Sequence, residues 1–494
     1  FSHAMGNSNG SLKDYFKVFR NYHGIQGGFI WEWLDHGIKQ KSADGKEYWA
    51  YGGDFGDMPH DSNFVCDGLV WPDRTPHPAM YECKYLAQPA EFVWCDAAAG
   101  RIRVTNRQYF RDLSEDFKVL WKLEIDGVAI SNGECSLPSI APQKVGEITV
   151  DYTVPAMYET SRAVLKLELV YKLDKIFVNA GETAGWEALD VPADTIIPAA
   201  PAEQNEVKTA FRSDLAVFTS GKTEAEITSS GLMNFRFNGE ELLEQGPRAE
   251  IWRAPVDNDG IKMWSSSPNR PLGGWLNRGY NKVRRRTDQF GGTGECATLH
   301  QMLESSKLEQ NMEFQQTFRM LPDGKLEIAS TFIVPESWTD LPRLGMTLEL
   351  PLRFSNITYL GNGPFENYID RDAAAKFGRY DTTPEEMYTP YIMPQSCGNR
   401  TGVTMAQFHD GKTGLRITAP CGMEFGAMRY SEYALYDARH TYELKAADRI
   451  YVRLDLRQRG LGTASCGPDT REEYRIKPGR RKFTVYLEGF EVAK

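Results

Sequence analysis

The chain has no closely spaced cysteine pair, no long apolar run and no surplus of positive charge, and each absence removes a class of function. Its eight cysteines (Cys66, Cys83, Cys95, Cys135, Cys296, Cys397, Cys421 and Cys466) include no Cys-x-x-Cys, which argues against zinc-ribbon spacing and against a dense disulfide framework. Free thiols, as in a reducing compartment, are the expectation. No stretch approaches the roughly 20 apolar residues of a membrane span. Lys and Arg total 57 against 67 Asp and Glu, a formal charge of −10, which argues against nucleic acid or an anionic membrane as partner. Internal repeats, charge blocks and low-complexity tracts are also missing. So is an initiator Met: the chain opens Phe1-Ser2-His3-Ala4-Met5-Gly6-Asn7.

That opening reads as the end of a fold begun elsewhere. Leu12, Tyr15, Phe16, Phe19 and Tyr22 recur at helical spacing and predict an amphipathic helix over Ser11–Tyr22, stopped near Gly24. Gly27-Gly28-Phe29-Ile30-Trp31-Glu32-Trp33 follows, an apolar run of the kind buried on both faces of a parallel sheet. One helix and one such strand cannot cover the strand's faces or satisfy its backbone. The chain is therefore expected to be the C-terminal part of a larger protein, with residues 1–87 closing an α/β barrel. Residues 35–85 read as loop, and long loops after barrel strands are where such folds place their chemistry.

From residue 88 the periodicity changes to two. Phe117, Val119, Trp121, Leu123 and Ile125 alternate with more polar neighbours, Asp126-Gly127 supplies a hairpin turn, and Leu165, Leu167, Leu169, Tyr171 and Leu173 repeat the pattern. A small antiparallel sandwich over 88–192 is predicted. Three prolines within 191–202 mark 193–202 as a linker. Residues 203–494 are again strand and turn, as in Leu326–Ile333, Met346–Leu350 and Arg449–Leu456, and their length favours an extended two-sheet sandwich.

The candidate site residues lie near the start. His3 and Asn7 follow a presumed barrel strand, and Trp31 and Glu32 end the next one, so both pairs would face one mouth. An aromatic floor with a His and carboxylates around it suits a sugar, whose apolar ring face stacks while its hydroxyls take charged hydrogen bonds. The alternative is that Trp31 and Trp33 only seal the barrel, and that the 11 Trp and 23 Tyr serve large sandwich cores.

Residue order adds to this. His3-Ala4-Met5-Gly6-Asn7-Ser8, Gln26 to Trp33, Tyr51-Gly52-Gly53-Asp54-Phe55-Gly56-Asp57, Asp67-Gly68-Leu69-Val70 and Asp73-Arg74-Thr75-Pro76-His77-Pro78 resemble the long β-galactosidases of glycoside hydrolase family 2. Arg253-Ala254-Pro255-Val256-Asp257-Asn258-Asp259, Gly363-Pro364-Phe365-Glu366-Asn367-Tyr368-Ile369-Asp370-Arg371 and Met387-Tyr388-Thr389-Pro390-Tyr391 resemble that family's terminal β domain. The resemblance implies a mainly β chain: the last helix–strand units of a (β/α)8 barrel, an immunoglobulin-like sandwich and a large C-terminal β-supersandwich.

It further implies a retaining hydrolase of terminal β-D-galactosides such as lactose, whose nucleophilic Glu would stand immediately before Phe1 and whose acid/base Glu and magnesium ligands lie farther upstream. This chain would then be inactive alone and would need the N-terminal half of the same protein as its partner. The intact enzyme would be a homo-oligomer, cytoplasmic or periplasmic in a bacterium. A non-catalytic carbohydrate-binding module of the same descent is the alternative. Another activity of the family, glucuronidase or mannosidase, fits less well, since those relatives generally lack the long terminal domain.

By the same resemblance His3 would bind galactosyl hydroxyls and Trp31 would floor the subsite. Phe64 (carbonyl) and Asp67 (carboxylate) would hold a sodium or other monovalent ion. The family has Asn at the Asp67 position, and an Asp before Gly68 also reads as a turn residue. His60 stands where some relatives bind a secondary magnesium, and imidazole is a poor ligand for that ion. Within Gly460–Asp469, Cys466 occupies the place of a Trp that serves as aglycone platform, or is an ordinary cysteine in a turn.

Overall fold

The computed structural model describes residues 1–192, 195–198, 204–262 and 269–492. The first helix, α1 (Leu12–Asn21), forms where its apolar spacing predicts, with Asp14 in the first turn and Arg20 in the last, each favourable to the helix dipole. Only Leu12 of its apolar stripe is buried.

The run ending at Trp33 is left uncovered by the rest of this chain. It is extended, but it is not a buried strand: Phe29 is 95% exposed, Trp31 60% and Trp33 62%. Parallel pairing exists locally, with Glu32 N donating to the Asp67 carbonyl (2.7 Å), Leu69 N to the Glu32 carbonyl (3.0 Å), Val70 N to the Trp33 carbonyl (3.1 Å) and Ala4 N to the Trp31 carbonyl (2.7 Å). The run thus lies between residue 4 and residues 67–70. Ile30 turns inward against Ala4, Leu69 and Ala79, and the aromatic side chains stand open.

Residues 35–85 are also more ordered than a loop. They contain the hairpin Ile38–Lys41 with Glu47–Ala50 and a second helix, α2 (Pro78–Leu86), with Pro78 in its first turn, where its missing N–H costs nothing.

Residues 90–191 form the predicted sandwich. A four-stranded sheet orders Thr183–Val191, Ala163–Tyr171, Phe117–Ile125 and Val128–Cys135, facing a three-stranded sheet of Ala90–Asp96, Arg101–Asn106 and Val145–Thr149. Asp126-Gly127 makes the hairpin turn, both residues at positive φ. Val119, Leu123, Leu165, Leu167 and Leu169 are fully buried between the sheets. Leu173 lies past the strand end and is exposed. Of the linker 193–202, residues 193, 194 and 199–202 lie outside the described residues, and Ile196–Ile197 pair in parallel with Met157–Tyr158.

The remainder is built on a twelve-stranded sheet packed with the five strands between Val207 and Glu241. Thr413–Met428 is its hub. The first part of that strand pairs with Gly479–Glu491, its end pairs with Arg449–Gln458, and Arg400–His409 joins along it through two irregularities. One strand with three partners curls the sheet around a single core. Tyr51, Cys66 and Trp71 from the first segment enter that core. All eight cysteines are free thiols. Among the described residues no helix is long and apolar enough to cross a membrane.

Glu424 is buried on the hub strand, in register with Asp455, and accepts a hydrogen bond from Asn399 Nδ2 (3.1 Å). Burial, reinforced by the nearby Asp455 carboxylate, pushes its pKa up to about 8. An unfolded Glu titrates near 4.3, so between about 4.3 and 8 the native state holds the extra proton and stability falls as pH rises. Glu424→Gln is expected to flatten that decline in urea midpoints taken from pH 5 to 9. An unaltered slope would refute the assignment.

Candidate active site

Three separate segments bring side chains together at the open aromatic run. His3 is buried, its ring stacked on Phe64 with centroids 5.3 Å apart. Its Nε2 lies 3.3 Å from Asp67 Oδ2 and its Nδ1 3.0 Å from Ser465 Oγ. Trp31 Nε1 donates to the same Asp67 oxygen at 3.3 Å, which steadies an otherwise exposed indole. With Asp67 ionised, the imidazole proton must sit on Nε2, so in the neutral ring Nδ1 accepts from the Ser465 hydroxyl.

Two carboxyl groups share this corner, and their environments push them apart. Burial opposes ionisation of Asp67, but hydrogen bonds from His3, Glu32 and Trp31 outweigh it and hold its pKa below the usual Asp value. Glu32 moves the other way, raised by burial and by its hydrogen bond to, and repulsion from, Asp67. Of the two, Asp67 is thus the stronger acid and Glu32 the weaker.

Ser465 is the residue of the Gly460–Asp469 loop that meets His3, and it was not among the sequence candidates. Cys466, the candidate at that place, is exposed. Backbone anchoring places Ser465 against His3. Asn258 Oδ1 accepts from Ser465 N (3.0 Å) while Asn258 Nδ2 donates to the Gly462 carbonyl (2.7 Å). Asp370 accepts from Leu461 N (2.9 Å) and Gly462 N (2.8 Å). Behind Asn258, Arg253 and Asp259 form a fully buried ion pair at 2.7 Å, and Arg459 lies against the same carboxylate. Gly10 fits beside this loop because it has no side chain; a Cβ there would come within 2.1 Å of Asp370 Oδ2.

The other end of the site is fastened as firmly. Asn7, fully buried, donates to the Tyr368 hydroxyl and the Ser396 carbonyl, both at 2.9 Å, and its Oδ1 lies 3.2 Å from the Tyr391 hydroxyl oxygen. Arg371 pairs with Glu366 at 2.8 Å and donates to the Ser8 carbonyl at 2.7 Å. Asp257 accepts from Asn63 Nδ2 (3.0 Å) and Gln395 Nε2 (2.9 Å), tying down the 62–67 turn. The motifs around Asp257, Glu366 and Tyr391 therefore act as anchors of the site rather than as members of it.

That turn also carries buried oxygens without a hydrogen-bond partner: Ser62 Oγ, Asn63 Oδ1 and Asp67 Oδ1. Orphaned oxygens, one of them a carboxylate's, are the donor chemistry of a hard cation. Phe64 lies within the turn. Among the described residues no group of three His, Cys, Asp or Glu is placed to hold a metal, so a cation here would need main-chain or neutral oxygens as well.

Comparison with known proteins agrees with this arrangement of segments. Residues 220–487 match the family model described as "Beta galactosidase small chain". The chain belongs to the β-galactosidases of glycoside hydrolase family 2. Residues 1–92 match "Glycosyl hydrolases family 2, TIM barrel domain" and 102–192 match "Beta-galactosidase, domain 4". Proteins named β-galactosidase from Priestia megaterium (31% identical, 94% of this chain and 44% of that protein), Photobacterium profundum (30%, 99% and 48%) and Pseudoalteromonas haloplanktis (30%, 99% and 48%) are similar to it. The chain spans about half the length of the curated relatives it matches. Within this family fold, the segment matched to the barrel domain contains His3, Trp31 and Asp67, while the small-chain segment contributes Ser465.

Ser465→Ala is expected to free the Nδ1 side of the His3 ring. With Asp67 still holding the proton on Nε2, nitrogen-15 spectra should keep the same tautomer while the Nδ1 resonance moves on losing its hydroxyl donor, with thermal stability nearly unchanged; an unmoved Nδ1 resonance would contradict the pairing. Asp67 has a depressed folded pKa, so the stability it contributes is present above the ordinary Asp value of about 3.9 and lost as pH falls through the lower folded value. Asp67→Asn should remove that part of the acid limb in denaturant midpoints, and an acid limb identical to wild type would count against it.

Proposed function

We propose that this chain forms one side of the galactosyl subsite of a retaining β-galactosidase, and that the two reacting carboxylates belong to polypeptide preceding Phe1 in the intact enzyme. The observation that carries this reading is the convergence of His3, Trp31, Asp67 and Ser465 beside an open aromatic face. The exposed indole of Trp31 offers the apolar floor on which a sugar ring stacks. Asp67 and the His3 imidazole offer charged and polar partners to its hydroxyls, and the Ser465 contact keeps the imidazole in one orientation. Such contacts accelerate hydrolysis to the extent that they strengthen as positive charge develops at the anomeric carbon.

A retaining glycosidase needs two carboxyl groups about 5–5.5 Å apart, one to attack and one to protonate the leaving oxygen. Glu32 and Asp67 are unsuited to that pair. They are committed to each other, to Trp31 and to the His3 and His36 imidazoles. Their work is binding and orientation.

For the cation we propose sodium, held by the Asp67 carboxylate and the Phe64 carbonyl, where it would lend positive charge to a sugar hydroxyl. The unpartnered oxygens of the 62–67 turn support it. The carboxylate at Asp67 adds negative charge relative to the amide of the family pattern and favours a tighter ion. Magnesium in the intact enzyme is assigned no ligand from these residues. The proposed partners are β-galactosides, the N-terminal half of the same protein and further copies of the intact chain.

The test is to assay the chain alone and after mixing with a separately made N-terminal half, using a chromogenic β-galactoside. No turnover alone and turnover on mixing are expected, with Trp31→Ala lowering kcat/KM of the mixture at least tenfold, about 1.4 kcal/mol. Hydrolysis by the isolated chain would place the nucleophile within these residues, with Glu32 the first to examine. Failure of the mixture, alongside galactose binding by the isolated chain, would favour a carbohydrate-binding module.

A further inference from the structure

A second concave site lies away from His3, where α2, the small sandwich and the large β domain meet. It encloses about 360 Å³, within the range of small-molecule sites. Its wall is aromatic. Tyr81 of α2 and Phe365 of the large domain stack with ring centroids 3.9 Å apart and 14° between planes, and Trp186 of the sandwich lies beside Phe365 at 6.4 Å. The Trp186 indole is fixed by its Nε1 donating to the Ala374 carbonyl at 2.8 Å. Gly363 lines the cavity and packs closely against the buried Tyr359; a Cβ there would lie 2.3 Å from the Tyr359 hydroxyl.

The charge at this junction runs against that of the molecule. In a chain of net charge −10, four lysines line one cleft: Lys84, Lys122, Lys166 and Lys376. Lys122 and Lys166 share a single carboxylate, Glu124, at 2.8 and 2.7 Å. Lys376 pairs with Glu187 at 2.6 Å, and Tyr85 donates to the same carboxylate. Lys84, in the last turn of α2, has no ion pair among the described residues. Counting Glu168 on the rim, four lysines face three carboxylates. Two cations on one anion and a third with none make a place where a ligand's negative charge is welcome.

We propose that this junction binds a pyranose-sized ring carrying one anionic group, a sugar acid or acid ester, at a site separate from the galactosyl subsite. The aromatic wall takes the ring, Lys84 and the Lys122–Lys166 pair take the acid group, and Glu168 and Thr183 are at hand for hydroxyls. Because the three parts of the chain each contribute, occupancy would brace the sandwich and α2 against the large domain.

The test is calorimetric titration of the chain with D-galacturonate, with D-galactose 6-sulfate as a second acid and neutral D-galactose as control, at low and high salt. Either acid is expected to bind more tightly than galactose, with affinity falling as salt rises; the tighter of the two identifies carboxylate or sulfate as the group recognised. Lys84→Glu, on an exposed and unpaired residue, should weaken the acid about tenfold, the size of one lost charge-assisted hydrogen bond. Trp31→Ala should leave it unchanged, which separates this site from the galactosyl subsite. Equal affinity for galactose, no binding of either acid at millimolar concentration, or indifference to Lys84→Glu would overturn the proposal.

Discussion

The buried contact between residues 1–11 and the large β domain is the constraint from which the rest of the site follows. Asn7 spends its amide N–H groups on Tyr368 and Ser396, and Arg371 reaches past Glu366 to the Ser8 carbonyl. A buried ion pair of this kind is costly to desolvate and gains its place only when its remaining polar atoms are met. Here the Glu366 carboxylate also receives the Tyr391 hydroxyl (2.8 Å) and Gly398 N. These bonds fit one docking of the opening segment, and they deliver His3 to Ser465, a residue 462 positions away.

The same logic organises the rim. Asn258 and Asp370 hold the 460–470 loop by its backbone, Asp257 holds the 62–67 turn, and Glu82 of α2 accepts from Ala373 N and Ala374 N. On the far side His440 lies between Asp54 and Glu443, its ring stacked on Tyr51. Asp54 thereby fastens its loop to the large domain. The glycine-rich Tyr51–Asp57 stretch thus gains order from tertiary partners that its own composition does not supply. The candidate site rests on a polar framework mostly built by the large β domain.

Legibility in the sequence followed the range of the interactions. The stripe of α1, the Asp126-Gly127 hairpin and the alternating strands of both sandwiches depend on neighbours a few residues apart, and they fall where the pattern places them. Two features lay beyond that range. The run from Gly27 to Trp33 is apolar enough for a doubly buried strand, yet burial needs partners on both faces, and Phe29, Trp31 and Trp33 stay open. In the Gly460–Asp469 loop the sequence points to Cys466, whereas Asn258 seizes the peptide of the preceding residue and turns Ser465 to His3. α2 was hidden by the Gly, Asp and Pro density around it, although Pro78 is a fair marker of a first turn.

Local chemistry along the chain therefore determined which segments are strands and helices and that two β-sandwiches follow a barrel-like opening, while His3, Trp31 and Asp67 were singled out as candidates, Asp67 through the family resemblance alone. Only the tertiary structure decided that these three share one corner, that Ser465 completes it, and that four lysines gather around an aromatic wall elsewhere. The physical reason is distance. Periodicity and turn chemistry act over a few residues, while a site assembled from positions 3, 31, 67 and 465 exists only after long-range packing has met the cost of closing the chain between them.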